Sequence, residues 1–210
     1  KTFRTYGLPA RSTKEEVDAA IRSELSGSGV LFIGSHPIAG SEQQGLAFAR
    51  KDLYENAVCI LTPRDGDPDD RVGALSEFWK RAGAQVHVLS PADHDRIMAR
   101  TSHLPHLAAA VLAATVGREN AVERLGPFCG PGFRDTTRVA QGSSEVWHDI
   151  VKSNRTFILS ELGACKKMLE ELTQLVMNDD SAGLQRFLEN SREIRRSIQA
   201  SRRMEGNQGL

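Results

Sequence analysis

Two histidine-bearing stretches hold most of the side chains that could do chemistry. His36 opens the string His36-Pro37-Ile38-Ala39-Gly40-Ser41-Glu42. It follows the apolar run Val30-Leu31-Phe32-Ile33, which is short and β-branched enough to read as a buried strand. A histidine just past such a strand sits where open α/β sheets place their ligands. A neutral imidazole there suits general-base work, because its ordinary pKa lies near working pH. Small Ala39 and Gly40 leave room for a ligand to approach. The second stretch is Ser102-His103-Leu104-Pro105-His106. Its histidines are three residues apart, hence neighbours on a helix, and Pro105 suits a helix start or a kink. A packed, hydrogen-bonded histidine is the commoner fate of either, so the catalytic reading requires partners and a pocket. His87, His94, His103 and His106 give no recognised zinc spacing, so no metal is expected. The absence of G-x-S-x-G argues against a serine-nucleophile hydrolase.

The elements around these stretches set their positions. Ser12-Thr13-Lys14-Glu15-Glu16 carries overlapping capping-box patterns, with Val17, Ile21 and Leu25 behind it on one helical face. Ser26-Gly27-Ser28-Gly29 ends that helix, and the strand through Ile33 follows. Residues 57–62 read as a second strand, 69–82 as a helix and 85–89 as a third strand. Such alternation indicates a mostly parallel sheet with crossover helices. After Ser90-Pro91, an N-cap and first-turn signal, the rhythm changes. Residues 94–102 read as helix, and 107–116 as a helix apolar all round and therefore buried. A glycine- and proline-broken loop spans 126–132. An amphipathic stretch around Val146, Trp147 and Ile150 comes next, then long helices over 156–177 and 181–203. The fold class is therefore α/β followed by all-α, with domains at 1–90 and 91–210 and no strand of four or more residues inside 140–205.

At 210 residues the chain is long enough for one large domain or two small ones, and its 40% hydrophobic content is ordinary for a globular protein. Lysine plus arginine and aspartate plus glutamate each number 27, so the total charge points to no nucleic-acid partner. Residues 192–203 carry five arginines against Glu193, a pattern most often found on a solvated helix face. Cys59, Cys129 and Cys165 have no metal or redox spacing and read as reduced thiols of a cytoplasmic protein. No apolar run approaches the ~20 residues that span a bilayer, so no membrane partner is expected.

The two histidine strings, followed by Gly132-Phe133-Arg134-Asp135-Thr136-Thr137-Arg138 and Trp147, resemble the prephenate dehydrogenase family, which includes arogenate dehydrogenases. The resemblance runs from about Ser12 to about Asn154, and more loosely through the later helices. It implies a partial Rossmann-like nucleotide-binding domain followed by a helical dimerisation domain, NAD or NADP as cofactor, and a homodimer through the C-terminal helices. The implied reaction is oxidative decarboxylation of prephenate to 4-hydroxyphenylpyruvate in tyrosine biosynthesis, or the arogenate equivalent. By resemblance His36 draws off the proton of the ring hydroxyl, and Arg138 holds a substrate carboxylate in its bidentate fork. Arg134 is the alternative cation. Ser102, His106, Ser41, Glu42, Gly132 and Trp147 would line the substrate pocket, with His103 packed or bonded to backbone. Ser12 matches a family serine near the substrate hydroxyl, though a plain N-cap role is as well supported. The family's G-x-G-x-x-G turn, which cradles the dinucleotide, does not occur in the sequence. On the cofactor side the resemblance reaches only Pro37. The chain is therefore read as a member truncated at its N-terminus, and the rival reading is a non-catalytic dimerisation or ligand-sensing module.

Overall fold

Thr13, rather than Ser12, caps the first helix, α1 (Lys14–Glu24), its hydroxyl accepting the Glu16 N–H at 3.2 Å. In this computed structural model, which describes residues 12–39, 50–120 and 122–207, the same helix end carries a second cap from far along the chain. The Asp95 carboxylate accepts the Lys14 N–H at 3.0 Å and the Glu15 N–H at 3.1 Å. A carboxylate there satisfies two otherwise orphaned donors and sits at the positive end of the helix dipole. Further along α1, buried Asp18 pairs with Arg22 and Arg64, and Arg22 also grips Asp67. Arg22 in addition donates to the Phe32 carbonyl at 2.8 Å.

That last bond bears on the first correction. The run Val30-Leu31-Phe32-Ile33 forms no strand, and Val30 is 60% exposed. Strand β1 is instead Gly34–Ile38, so His36 lies within it rather than past its end. The ladder starts at Gly34, opposite Thr62, where a Cβ would collide with the threonine hydroxyl; only glycine lets the two backbones close. Pro37, which has no N–H to give, is tolerated because β1 is an edge of the described sheet.

Strands β2 (Val58–Thr62) and β3 (Gln85–Val88) are parallel and joined through α2 (Asp69–Arg81), but β1 runs antiparallel to β2. The sheet is thus mixed, where a mostly parallel one was expected. An antiparallel return needs no crossover helix, and the sequence shows no helical period between the first two strands. Side chains alternate across the sheet. Cys59 and Leu61 face α2 and form the core with Ala84, Tyr54, Leu75, Trp79 and Val86. Ser35 shares that face and accepts from the Trp79 indole N–H at 3.2 Å. His36, opposite Ile60, therefore points to the other face, where α1 and α3 pack.

Helix α3 (Pro91–Met98) starts at Ser90, whose hydroxyl accepts the Asp93 N–H, and buries His94, Asp95 and Met98. It continues as a π-helical turn, Ala99–His103, into α4 (Leu104–Val116). Pro105 cannot donate to the helix ladder and its ring would crowd the preceding turn; a widened turn there accommodates both defects. The expected all-round burial of 107–116 does not hold in the chain by itself: of α4 only His106 and Ala109 are buried, and Val111 is 61% exposed. Short helices α5 (Val122–Leu125) and α6 (Pro131–Thr137) follow, the latter extending beyond the expected 126–132 loop. A 3-10 turn, Arg138–Gln141, then precedes α7 (Ser144–Ser153).

The chain divides into two compact units, the first ending at Leu159. Helix α8 (Arg155–Met177) runs across that point, and the second unit holds the rest of it with α9 (Ser181–Asn207). Asp180 begins α9 by accepting the Gly183 N–H at 2.8 Å. As expected, no strand occurs among the described residues beyond 140. No helix among them is long and apolar enough to cross a membrane.

Candidate active site

A cavity of about 350 Å³ opens where α1, β1, α3 and the end of α7 converge, all within the first unit. Ser12 and Lys14 enter from the start of α1, His36 from β1, His94 and Asp95 from α3, His103 from the π turn, and Asn154 from beyond α7. Three imidazoles, a carboxylate and an ammonium thus share one small space, a concentration of titratable groups typical of functional sites.

The polar groups form a continuous chain. His36 Nδ1 lies 2.8 Å from His94 Nε2, and His94 Nδ1 lies 2.9 Å from Asp95 Oδ1. His94 and Asp95 are nearly inaccessible, at 4% and 3% exposure. Asn154 Nδ2 donates to the Asp95 backbone carbonyl at 2.7 Å and lies 3.2 Å from His103 Nδ1. Lys14 Nζ donates to the Ser35 carbonyl at 3.2 Å. Burial pushes the His36 pKa down to about 4; the charges of His94, Lys14 and His103 push the same way, and Asp95 opposes them. Burial likewise lowers His103 and His106, and it lowers Lys14 against the pull of Asp95. At neutral pH His36 is therefore an uncharged imidazole, able to accept a proton at a ring nitrogen.

The structure brings together only some of the residues singled out in the sequence. His36 and Ser12 line the cavity; Ser12 lies outside the helix cap because Thr13 fills that role. His103, expected to be merely packed or bonded to backbone, lines it too and is bonded to a side chain, Asn154. His106 does not line it, but stacks on Trp147 with ring centroids 3.4 Å apart and 12° between planes. Gly142 makes that stack possible: a Cβ there would come within 2.8 Å of Trp147 Nε1 and 3.2 Å of His106 Cε1. Ser102, Gly132, Arg134 and Arg138 are exposed and lie outside the lining. The turn that carries Arg138 packs against α4 and leads directly to Gly142. Ser41, Glu42 and Gly40 lie outside the described residues. Among the described residues no group of three or more histidine, cysteine or acidic side chains could hold a metal ion.

Sequence reasoning missed His94, Asp95, Lys14 and Asn154. His94 was weighed only as a metal ligand. The usable signal was its phase: with α3 starting at Ser90, His94 shares the inner face with Met98, so the helix turns a polar residue inward.

A sheet edge bearing an imidazole, faced by helices that close a cavity over it, defines a two-part protein: an α/β half for a nucleotide and a helical half that completes the site. Comparison with known proteins supports both halves. Residues 10–88 match the prephenate dehydrogenase nucleotide-binding domain, and residues 90–190 match the prephenate dehydrogenase dimerization domain. The chain belongs to the prephenate dehydrogenase family. It is 33% identical over 185 residues to prephenate dehydrogenase of Bacillus subtilis, covering 88% of this chain and 50% of that one. With the Lactococcus lactis prephenate dehydrogenase it shares 31% over 193 residues, covering 90% and 52%. The chain thus spans about half the length of these relatives. Among solved structures, prephenate dehydrogenase from A. aeolicus in complex with hydroxyphenyl propionate and NAD+ superposes with a TM-score of 0.80 at 29% identity, over 90% of this chain and 65% of that one. Synechocystis arogenate dehydrogenase gives 0.77 at 27% identity, over 91% and 68%.

Proposed function

We propose that the chain is the substrate-binding and dimer-forming part of an NAD(P)-dependent prephenate dehydrogenase, which converts prephenate to 4-hydroxyphenylpyruvate and CO2. The observation that carries the proposal is His36: a neutral imidazole on a sheet edge, lining a cavity, with its Nδ1 engaged by His94 and its Nε2 left for a ligand. In this reading the substrate's ring hydroxyl donates to His36 Nε2, and the bond strengthens as hydride departs and the hydroxyl becomes acidic. Ser12 contacts the same hydroxyl. Arg138 holds a substrate carboxylate, with Ser102, His106, Gly132, Trp147, Ser41 and Glu42 as the remaining pocket residues. The border between the nucleotide-binding and helical domains is proposed near residue 90, where strands give way to helices.

When bound, NAD or NADP supplies the hydride acceptor. This sequence holds no G-x-G-x-x-G turn, so no residue of it is assigned to the pyrophosphate, and Pro37 remains the single residue proposed on the cofactor side. The arogenate reading is favoured by one observation, the close superposition on an arogenate dehydrogenase.

Formation of reduced nicotinamide, followed by its absorbance, tests the proposal. Prephenate and arogenate are each supplied with NAD+ and NADP+. Turnover is expected, and His36→Asn should lower kcat by about 10²–10⁴-fold while KM stays within a few-fold. Absence of turnover with both substrates, in a folded protein that carries its dinucleotide-binding half, would leave the non-catalytic ligand-binding reading in place.

The homodimer rests on the helices. Met168, Leu169, Val176, Met177, Leu188, Ile194 and Ile198 are all more than half exposed in the isolated chain, an apolar surface too large for a soluble monomer. Light scattering should return twice the chain mass at micromolar concentration; a monomer mass would refute the assembly.

A further inference from the structure

We propose that His94 and Asp95 act as a positioning pair behind His36, fixing which of its ring nitrogens carries the proton and sharing the proton it takes up. The inference rests on the dehydrogenase reading for its second half only; the first half concerns the resting protein.

The argument follows the direction of each hydrogen bond. Asp95 accepts at both oxygens from backbone amides, Oδ1 from Lys14 and Oδ2 from Glu15, which marks it as an acceptor. His94 Nδ1, 2.9 Å from Oδ1, must therefore carry a hydrogen and donate. In a neutral ring the other nitrogen then holds a lone pair, so His94 Nε2 is an acceptor. His36 Nδ1, 2.8 Å away, must be the donor in that bond. It follows that neutral His36 bears its hydrogen on Nδ1 and its lone pair on Nε2. A free imidazole prefers the opposite arrangement, so the pair overrides an intrinsic bias. The same logic operates wherever a buried carboxylate sets a histidine tautomer, here with one more imidazole in the line.

The pair also answers a difficulty that burial creates. A histidine so hard to protonate is a weak acceptor for a hydroxyl proton. During the reaction the substrate O–H bond breaks and its proton goes to His36 Nε2, while hydride leaves the same carbon. The cationic ring then gives its Nδ1 proton to His94 Nε2, and the charge comes to rest on an imidazole bonded to Asp95. When the carbon–carboxylate bond breaks, its electron pair aromatises the ring. The phenolate oxygen recovers the proton from His36 as His94 returns its own. No net proton is consumed. The charged and titratable groups around His36 that bear on this transfer are Lys14 from α1, Cys59 from β2, His94 and Asp95 from α3, and His103 from the π turn.

Nitrogen-15 NMR of histidine-labelled protein reads the tautomers directly. In the wild-type chain near neutral pH, His36 and His94 are both expected as Nδ1–H forms. An Nε2–H form of His36 would overturn the proposal whatever the enzyme's substrate. His94→Leu removes the acceptor and should return His36 to the Nε2–H form. His94→Gln puts an amide oxygen near the lost Nε2 and should keep His36 as Nδ1–H. In the turnover assay His94→Leu is expected to lower kcat by about 10²-fold with KM within a few-fold, and His94→Gln to recover part of that loss. Equal losses in both variants, with the His36 tautomer unmoved, would show a purely structural role. Wild-type protein that shows the expected tautomers but no turnover would fail the functional reading while leaving the positioning pair intact.

Discussion

Acidifying the protein from about pH 7.5 to about pH 4.5 perturbs the cavity more directly than most substitutions would, because its imidazoles are held uncharged by burial. His36 sets the scale. In the unfolded chain it titrates near the ordinary 6.5, and in the fold at about 4. Between those values the unfolded state binds a proton that the folded state refuses. The resulting stability is fully present above 6.5 and is lost as the pH falls toward 4. One proton over that interval is worth about 3 kcal/mol at full burial, from roughly 1.4 kcal/mol per pH unit. His36 is only half-buried, and solvent screening reduces the figure to about 1–2 kcal/mol. His103 and His106, also lowered, add in the same direction. Urea unfolding of wild type and His36→Gln at both pH values isolates the contribution, since each protein is its own reference. Wild type should lose about 1–2 kcal/mol more than the variant on acidification. Identical losses would mean that His36 titrates normally in the fold, and the account of a buried neutral base would fall with it.

Gly142→Ala should drive a methyl group into the contact between Trp147 and His106, destabilising the protein by about 1–3 kcal/mol; thermal unfolding with near-ultraviolet circular dichroism of Trp147 checks both effects. Arg138→Ala should raise KM for prephenate by about 10- to 100-fold with little change in kcat, as a charge-assisted contact of roughly 1.5–3 kcal/mol is lost. An unchanged KM would move that role to Arg134 or to Lys14, the cation that lines the cavity.

The parts of the fold legible in the sequence were those written in local periodicity. The helix starts at Lys14 and Pro91, the strands over 58–62 and 85–88 and the long helices α8 and α9 all follow from caps, β-branched runs or a 3.6-residue period. What escaped was non-local. Val30 to Ile33 has a better strand composition than Gly34 to Ile38, yet the ladder is set by how closely Gly34 can approach Thr62. The same applies to the cavity. His36 was visible as a motif, but its environment comes from residues 58 and 59 positions away in the sequence, His94 and Asp95. Asp95 looked like one more helix-surface acid. Its partners are amides at the start of another helix, and no local pattern records that contact.

The π turn at Ala99–His103 has a consequence for how this segment tolerates change. An α-helix advances about 100° per residue, so the number of residues in a continuous helix sets the rotational phase of everything downstream. The widened turn accommodates one residue more than a regular turn would. Deleting any one of the five would let the turn relax toward α-helical spacing and swing α4 about its axis by about 100° relative to α3. His94 and Asp95, upstream, would stay in place. His103 would leave Asn154, and His106 would leave the face of Trp147. The length of this turn is thus a setting in its own right, separable from the chemistry of the residues that occupy it: substitutions within it leave the phase untouched, and a single deletion resets it.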